Sequence, residues 1–359
     1  MRYLFTGGGT GGHVFPALAM AQYACESDSE AQVLFVGTRR GIESRVVEPR
    51  GFAIDYVEFS GFAGKSPLRK ALVLAQLTRA VAQALAIVGK FAPQVVVGVG
   101  GYASLPVLVA AALKRIPVVL HEQNASAGLA NRLAARWARR VCISWPQAQR
   151  DFPAGKVVLT GNPVRRELFT VPPWRGDRPQ LLIFGGSQGA RAINRALVAA
   201  LPQLREEFPA MKIVHQCGRD HVAEVAVACN DMGYDNVEVT PFIDDMRSAY
   251  AASQLVVCRA GATSVAELAA CGRPALLIPL PTAAADHQSS NAMALVAAGA
   301  ARLLPQRQLS GEELARQIGA LLRQPQLLAT MGQNARHLSA KGAAELIIHE
   351  CRLVARKQG

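Results

Sequence analysis

Several residue patterns are missing from this 359-residue chain, and each absence excludes a class of protein. Its seven cysteines are odd in number and form no C-x-x-C pair, so we expect reduced thiols, without a disulfide framework or cysteine zinc site. No histidine pair has metal-ligand spacing and no D-x-D motif occurs, so the sequence requires no metal. Aromatic residues make up only 6% of the chain, which argues against a basic nucleic-acid-binding protein with stacking aromatics.

Signals for export and for membrane insertion are weak. The first residues enter a strand-like segment without the charged and apolar regions of a secretory signal, so we expect none. Residues 91–113 carry no charge and are long enough to span a bilayer. Gly100, Gly101 and Pro106 interrupt this run, and a regular helix does not pass smoothly through them. We therefore expect a buried strand, a turn and a short helix there.

Acidic residues are absent between Glu58 and Glu122, within a chain of net charge +13. The basic residues of this stretch are Lys65, Arg69, Lys70, Arg79, Lys90, Lys114 and Arg115. A surface of one charge attracts polyanions or an anionic membrane leaflet. An ordinary solvated basic face is the alternative, and composition alone favours it.

Two glycine-rich turns, at residues 7–12 and 185–189, each follow an apolar run and precede a helical pattern. The N-terminus of a helix presents unpaired N–H groups and favours negative charge. Glycine also allows a phosphate to approach the backbone closely. Two such turns predict two nucleotide-type α/β domains that face each other across a cleft.

The alternation of apolar runs with helical patterns predicts an α/β fold with a doubly wound parallel sheet in each half. Strands are predicted at residues 3–6, 32–37, 95–99, 117–121, 141–143, 157–161, 180–184, 211–216, 237–240, 254–258 and 275–279. The proline-rich segment 163–179 is the predicted linker, so the domains are residues 1–162 and 163–340. Residues 341–359 are predicted to form a helix that packs back on the first domain.

The G-x-G-x-x-G run at residues 7–12 also matches the dinucleotide-binding fingerprint, which requires an acidic residue at the end of the second strand. Arg39 and Arg40 stand there instead, and they could hold the phosphate of NADP. His13 follows the third glycine, where the helix dipole disfavours a charged imidazole and leaves a neutral ring able to accept a proton. A capping or solvent-facing histidine is the alternative.

A third phosphate-type turn, at residues 259–261, precedes a helix in which Thr263 and Ser264 can cap the N-terminus. Glu267 lies about one and a half turns into this helix. A carboxylate there can accept both hydroxyls of a ribose whose diphosphate lies on the helix N-terminus. A glutamate that only satisfies the helix dipole fits the spacing equally well.

Two further segments carry polar side chains. His121–Asn124 follows a predicted parallel strand, where open α/β sheets place ligands, and suits a sugar or another hydroxyl-rich ligand. An ordinary polar loop is equally consistent. The segment 161–165 carries one cation, Arg165, at the predicted hinge, and residues 286–291 open a helix.

Together these motifs resemble the MurG family, the UDP-N-acetylglucosamine–lipid-linked muramyl-pentapeptide N-acetylglucosaminyl transferases of peptidoglycan synthesis. The matching segments, in the family's order and spacing, are residues 8–16, 98–102, 121–124, 161–165, 185–190, 242–246 and 259–262. The resemblance runs from residue 1 to about residue 300. Leu105 departs from the family's frequent glycine, and the acidic-polar run before Gln288 is reduced to Asp286-His287.

The resemblance implies a two-domain GT-B fold whose C-terminal domain holds UDP-GlcNAc. It implies that Glu267 binds the ribose, the backbone at Ile243 the uracil, and Gln288 the GlcNAc hydroxyls. Ser187 and Arg165 would contact the diphosphate region. The start of the third turn's helix would supply further contacts from Ala262, Thr263, Ser264, Val265 and Ala266.

The same resemblance assigns the lipid-linked acceptor to the N-terminal domain. Three residues of the first glycine turn, Thr10, Gly11 and Gly12, would close on the donor sugar together with Asn124. His13 is the family's usual candidate for the base that removes the acceptor proton.

We therefore expect an inverting glycosyltransferase that moves GlcNAc from UDP-GlcNAc to lipid I, forming lipid II and UDP without cofactor or metal. The diphosphate would be stabilised by helix N-termini and Arg165. A GT-B transferase acting on another lipid, such as a diacylglycerol glycosyltransferase, is the alternative, and an NADP-binding oxidoreductase is a weaker one. Expected partners are UDP-GlcNAc, lipid I and an anionic membrane surface at the cytoplasmic face; other cell-wall synthesis proteins stay open, and nucleic acid is not expected.

A helix is predicted to begin at Ser66-Pro67, to run through Val88 and to stop at Gly89. Arg69 and Lys70 lie in its first turn, where the dipole disfavours cations unless an external anion answers them. Apolar residues on the same helix include Leu72, Leu74, Leu77, Leu85 and Ile87. We expect an interfacial patch here that docks on anionic lipid close to His13, with a buried core helix as the alternative.

Overall fold

The computed structural model describes residues 1–60, 67–176, 178–186, 188–283 and 286–356, with only the main chain described for 67–75. These residues form two compact units. The first unit comprises residues 1–164 together with the C-terminal segment from Gly342, and the second comprises residues 165–341. The chain therefore leaves the first unit and later returns to it.

The described part of the first unit contains a seven-stranded parallel sheet in the order β3-β2-β1-β4-β5-β6-β7. The strands are β1 (Arg2–Thr6), β2 (Gln32–Gly37), β3 (Ala53–Tyr56), β4 (Val95–Gly98), β5 (Val118–Glu122), β6 (Arg140–Ile143) and β7 (Val157–Leu159). Its α-helices are α1 (Gly11–Glu26), α2 (Glu43–Val46), α3 (Pro67–Phe91), α4 (Ser104–Leu113), α5 (Leu129–Ala134) and, after the second unit, α13 (Ala343–Arg356).

The second unit repeats this plan with six parallel strands, over its described residues, in the order β10-β9-β8-β11-β12-β13. The strands are β8 (Gln180–Phe184), β9 (Lys212–Gln216), β10 (Val237–Thr240), β11 (Leu255–Cys258), β12 (Ala275–Leu277) and β13 (Ala301–Leu303). The helices are α6 (Arg191–Glu207), α7 (Val222–Asp231), α8 (Met246–Ala252), α9 (Ala262–Cys271), α10 (His287–Ala297), α11 (Gly311–Leu322) and α12 (Pro325–His337).

Strand β1 shows why the first sheet is covered on both faces. Successive side chains of a strand point to opposite faces, and here Tyr3, Leu4 and Phe5 are all fully buried. Tyr3 and Phe5 belong to a core with residues of α1 and α13, whereas Leu4 belongs to a core with residues of α3 and α4. Such continuous apolar strands are typical of parallel sheets with helices on both sides.

Two doubly wound parallel sheets confirm the predicted fold class and its GT-B architecture. Two strands, β3 and β13, were not predicted from the sequence. Both are edge strands with several partly exposed residues, and their sequences, AIDY and ARL, contain no long apolar run. Edge strands lack the two-sided burial that makes parallel strands recognisable.

Helix α3 begins at Pro67 as predicted but continues through Gly89 to Phe91, and Ala92 then adopts a left-handed φ of 48°. Leu77, Leu85 and Ile87 are partly buried and pack against the core of the first unit. These contacts favour the alternative of a core helix over an interfacial patch for these three residues. Beyond what the structure describes lie Lys65, Ser66 and the side chains of Arg69, Lys70, Leu72 and Leu74.

No described helix has both the length and the apolar character of a membrane span. The uncharged run 91–113 forms the end of α3, strand β4 and helix α4, as the glycine and proline interruptions predict. At the other end of the chain, α13 packs against α1, with Ile347, Ile348 and Cys351 buried.

Candidate active site

The turn between β1 and α1 in the first unit carries Thr10 and His13. Gly9 has a φ of 86°, a left-handed conformation that favours glycine. Thr10 is the N-cap residue of α1, but its side chain does not cap the helix. Its Oγ1 instead lies 3.1 Å from Nδ1 of His13, so the hydroxyl orients the imidazole ring.

The turn between β4 and α4 packs directly on this first turn. Gly100 and Gly101 both have left-handed φ values, 87° and 78°. A Cβ atom at Gly101 would lie 2.5 Å from the carbonyl oxygen of Gly8, and one at Gly100 would lie 3.2 Å from Cδ2 of His13. The pair of glycines is therefore needed for the second turn to approach the ring of His13.

A buried acidic residue that sequence analysis missed, Glu43, lies beneath the first turn. Its side-chain oxygens accept hydrogen bonds from the N–H of Gly9 at 2.9 Å and from the N–H and Oγ1 of Thr38 at 2.8 and 3.0 Å. A dinucleotide pyrophosphate would need backbone N–H groups of this turn, and the carboxylate would repel it. The geometry therefore disfavours the NADP alternative.

Three residues of the segment His121–Asn124 form a buried network, which fits the alternative of an ordinary polar loop better than a sugar-facing run for those three residues. His121, Glu122 and Gln123 are buried. Nε2 of His121 lies 3.2 Å from the carbonyl oxygen of Gly161, and Nε2 of Gln123 donates to Nδ1 of His121 at 3.1 Å. Burial lowers the pKa of His121 to about 4, so the ring is neutral, and these contacts place its proton on Nε2.

Asn124 is the one member of this segment that is partly exposed. Its backbone N–H and its Nδ2 both donate to Oε1 of Glu122 at 3.0 Å. Oε2 of Glu122 accepts from the N–H of Gly128 and from Nδ2 of Asn131. Glu122 thus fixes the loop that follows β5, and with it the position of Asn124.

In the second unit, the loops after β8 and β11 lie on either side of the point where the strand order reverses, the usual place for a ligand in such sheets. In the loop after β8, Gly189 has a φ of 74°. A Cβ atom on it would overlap the carbonyl oxygen of Cys217, so only glycine permits this close packing. Ser187, predicted for the diphosphate region, lies outside the described residues.

Helix α9 follows the second of these loops, with Gly261 as its N-cap residue. Its first turn and a half contains the predicted residues Ala262, Thr263, Ser264, Val265 and Ala266. Among the described residues, Oγ1 of Thr263 has no hydrogen-bond partner although it is buried. Buried hydroxyls are normally paired, so this atom lacks the partner that is expected of it.

Glu267 on α9 is only 14% exposed and is held by two side chains. Tyr250 O–H donates to its Oε2 at 3.0 Å, and Arg165 lies 3.7 Å from its Oε1 and 3.4 Å from Glu167. Burial raises the pKa of Glu267, and the Arg165 guanidinium opposes that shift. The structure thus brings together the residues predicted for the ribose and the diphosphate, and it adds Tyr250, which had no distinguishing sequence signal.

Ile243 and Gln288 lie on two other loops of the same unit. Ile243 is partly buried between β10 and α8. Gln288 lies in the first turn of α10, where its Oε1 accepts from the N–H of Leu280 at 3.0 Å. Asn291 on the same helix is fully buried and donates to the carbonyl oxygen of Ala260 at 3.2 Å, which ties α10 to the loop before α9.

The predicted residues therefore fall into two groups. Those of the first unit are Thr10, Gly11, Gly12, His13 and Asn124, and the described ones of the second unit are Arg165, Ile243, Ala262, Thr263, Ser264, Val265, Ala266, Glu267 and Gln288. In the first group the contact between Thr10 and His13 is direct, and in the second the contact between Arg165 and Glu267 is direct.

Both halves of the chain match models of one family. Residues 3–143 match the glycosyltransferase family 28 N-terminal domain, and residues 180–347 match its C-terminal domain. A protein of Syntrophotalea carbinolica named UDP-N-acetylglucosamine–N-acetylmuramyl-(pentapeptide) pyrophosphoryl-undecaprenol N-acetylglucosamine transferase is 51% identical, over 99% of each chain. A protein of the same name from Geotalea uraniireducens is 44% identical, over 98% of this chain and 97% of that one.

Solved structures agree with these matches. The crystal structure of Acinetobacter baumannii MurG superposes with a TM-score of 0.78 at 34% identity, covering 98% of this chain and 99% of that one. A UDP-GlcNAc 2-epimerase from Neisseria meningitidis, bound to UDP-GlcNAc, superposes with a TM-score of 0.70 at 15% identity, covering 98% of this chain and all of that one. The second likeness concerns the fold alone.

Proposed function

Because the chain belongs to the MurG family of glycosyltransferase family 28, we propose that it transfers GlcNAc from UDP-GlcNAc to the muramyl-pentapeptide of lipid I. The products are lipid II and UDP, and the enzyme is an N-acetylglucosaminyltransferase of peptidoglycan synthesis. The observation that carries this conclusion is the full-length similarity to relatives whose names state this reaction.

The second unit is the proposed donor site. Glu267 would accept the ribose hydroxyls, while the start of α9 would face the diphosphate with its N–H groups and with Oγ1 of Thr263. The contact of Arg165 with Glu267 supports this arrangement, because a cation beside the ribose carboxylate is also within reach of the adjoining diphosphate. The backbone at Ile243 would bind the uracil, Gln288 would bind the GlcNAc hydroxyls, and Ser187 would contact the diphosphate.

The first unit is the proposed acceptor domain, with His13 as the general base and with Thr10, Gly11, Gly12 and Asn124 closing on the donor sugar. With Nδ1 of a neutral His13 donating its proton to Oγ1 of Thr10, Nε2 would be the nitrogen that accepts the proton of the acceptor hydroxyl. That hydroxyl would attack the anomeric carbon of UDP-α-GlcNAc in line, giving a β-linked product by inversion.

The departing UDP gains negative charge as the glycosidic bond breaks. The positive end of the α9 dipole and the guanidinium of Arg165 would stabilise this charge without rearranging during the reaction. The described residues of the second unit would thus form a site for the leaving group from backbone N–H groups, one hydroxyl and the cation of Arg165.

Product analysis tests the proposed reaction directly. The protein is incubated with UDP-GlcNAc and a lipid I analogue, and the disaccharide product is identified by mass spectrometry while UDP release is measured. We expect equimolar UDP and a β-linked GlcNAc-muramyl product. Transfer to diacylglycerol instead, or NADPH oxidation without UDP release, would support one of the alternatives.

We also propose that the first unit binds peripherally to anionic lipid at the cytoplasmic face of the membrane. In the first unit, exposed Lys90, Lys114 and Arg115 precede the neighbouring parallel strands β4 and β5, and exposed Leu113 and Trp137 lie close by in sequence before β5 and β6. Exposed apolar side chains among cations are typical of interfacial surfaces.

Vesicle flotation tests this surface. We expect the wild type to float with anionic vesicles and less with neutral ones, and the double variant Lys114→Glu/Arg115→Glu to lose that preference. Arg195→Glu/Arg307→Glu, an exposed double change in the second unit with the same change in net charge, is the matched control. Equal flotation of wild type and double variant would remove these two cations from the proposal.

A further inference from the structure

The side chain of Glu43 fills a space that exists because three surrounding residues are glycines and have no side chains. A Cβ atom added to Gly8, Gly37 or Gly41 would overlap the side chain of Glu43. The carboxyl group is therefore enclosed by main chain from the β1–α1 turn and from the segment after β2. Only 1% of the residue is exposed. Such a fit leaves no room for a larger group at this position.

The hydrogen bonds of Glu43 are those that a bound anion would make. The N–H of Gly9 belongs to the glycine-rich turn at the start of α1, where related folds bind phosphate. The N–H and the hydroxyl of Thr38 complete three donors to the two carboxylate oxygens. Hydrogen bonds to a carboxylate are stronger than those between neutral groups. The protein thus supplies its own anion to this turn.

A second element, the turn between β4 and α4, also packs against the first turn. Gly101 approaches the carbonyl oxygen of Gly8 so closely that no side chain fits between them. Thr10, the residue after Gly9, orients His13 through its hydroxyl. The backbone that determines where the imidazole lies is therefore in contact with both Glu43 and the β4–α4 turn.

We propose that Glu43 is a positioning residue for GlcNAc transfer: it replaces a phosphate at the first glycine turn, fixes the backbone that carries Thr10 and His13, and closes this turn to nucleotide phosphates. The inference rests on the proposed function for its effect on turnover. Its structural part, the anchoring of Gly9 by a carboxylate, is measurable without turnover.

The test is the variant Glu43→Gln, which keeps the size of the side chain but turns one acceptor oxygen into a donor amide. One of the backbone N–H groups must then lose its acceptor. We expect kcat to fall at least tenfold, the Kd of UDP-GlcNAc measured by calorimetry without acceptor to stay within twofold, and amide exchange in residues 7–10 to accelerate. Glu48→Gln, an exposed change five residues away, should leave all three values unchanged.

A milder variant covers the case in which Glu43→Gln does not fold. Thr38→Val removes only the hydroxyl that donates to Glu43, and we expect a smaller fall in kcat with the same unchanged Kd. Unchanged kcat in a folded variant, or a Kd that rises as much as kcat falls, would overturn the positioning role. If the wild type transfers no GlcNAc, the proposed function fails, while unaltered exchange at residues 7–10 would separately refute the anchoring by Glu43.

Discussion

The two glycine-rich turns occupy equivalent places, each between the first strand of its unit and the helix that follows. In the first unit the N–H of Gly9 meets the carboxylate of Glu43. In the described part of the second turn, Gly185, Gly186 and residues 188–190, no carboxylate takes the place that Glu43 has in the first, and a Cβ atom on Gly186 would meet nothing within 4 Å. One turn therefore carries a built-in anion, and the described part of the other does not.

This difference shows how two copies of one architecture can divide a reaction. In the proposed mechanism, the turn that is satisfied by its own carboxylate is a rigid support for His13. The second turn would keep the phosphate-binding property of such folds. The same strand–turn–helix arrangement would then position a base in one unit and bind an anion in the other.

The largest effect that tests this division is expected from His13→Ala. If the first turn serves proton transfer, kcat should fall about 10²- to 10⁴-fold, the usual contribution of a general base, while the affinity for UDP-GlcNAc stays unchanged. Steady-state kinetics and calorimetry provide both values. His349→Ala, an exposed change in the same unit, is the control. A fall in kcat of less than about tenfold would leave His13 as a positioning group only.

The second largest effect is expected from Glu267→Ala, which tests the other side of the comparison. Loss of a hydrogen-bonding carboxylate should weaken UDP-GlcNAc binding about 10- to 100-fold, because bonds to charged groups contribute about 1.5–3 kcal/mol. Circular dichroism checks that the fold persists, and Glu224→Ala, exposed on α7, is the matched control. Wild-type affinity in a folded Glu267→Ala protein would contradict the assignment of the ribose site.

A smaller effect, a loss of folding stability at acidic pH, is expected in both units. Each unit buries the imidazole of one strand residue, His121 on β5 and His215 on β9. Burial lowers the pKa of His121 and of His215 to about 4, against an ordinary value of 6.5. The unfolded chain then binds more protons between these values, so stability is full above pH 6.5 and declines as the pH falls toward 4. For each histidine, the free energy of unfolding should fall by about 2 kcal/mol between pH 8 and pH 5.

Hydrogen exchange at several pH values, read on peptides from β5 and β9, measures this decline in each unit separately. His121→Gln should flatten the pH dependence in the first unit only, and His215→Gln in the second only. A pH dependence that survives both changes would assign the acid sensitivity to other groups.

The smallest expected effect is that of a chelator. Helix N-termini and Arg165 are the proposed stabilisers of the departing diphosphate, so turnover in EDTA should equal turnover without it. Loss of activity in EDTA that a divalent cation restores would show that the second unit does not hold the diphosphate by these groups alone.

Sequence patterns predicted local features well and long-range partners poorly. Glu267 and the residues at the start of α9 stood out because strand, turn and helix follow one another within a few residues. Glu43 did not, since its hydrogen-bond partner Gly9 is 34 residues away and the contact depends on how β1 and β2 pair. Tyr250 was missed for the same reason, because 17 residues separate it from Glu267.

Polarity along the sequence also failed to separate a ligand-facing loop from a buried network. The run from His121 to Gln123 contains the side chains that a sugar site needs, yet His121 and Gln123 bond to each other and to backbone oxygens inside the first unit. The Glu122 carboxylate accepts from N–H groups of the loop that follows β5 and from Asn131. The neighbouring strands and the loop around Gly161 show that these side chains point into the first unit, and this cannot be seen from the sequence. Hydrogen-bonding capacity is visible in a sequence, whereas its use is decided by packing.

The return of α13 to the first unit sets an order for synthesis on the ribosome. Its buried residues Ile347, Ile348 and Cys351 complete a core with α1 and the sheet, and Glu350 pairs with Arg140 at 3.0 Å. All of residues 165–341 must be translated before this helix exists, which takes roughly ten to thirty-five seconds at ordinary elongation rates. A nascent first unit would expose that apolar face throughout, so the C-terminal helix acts as the last, sealing step of its folding.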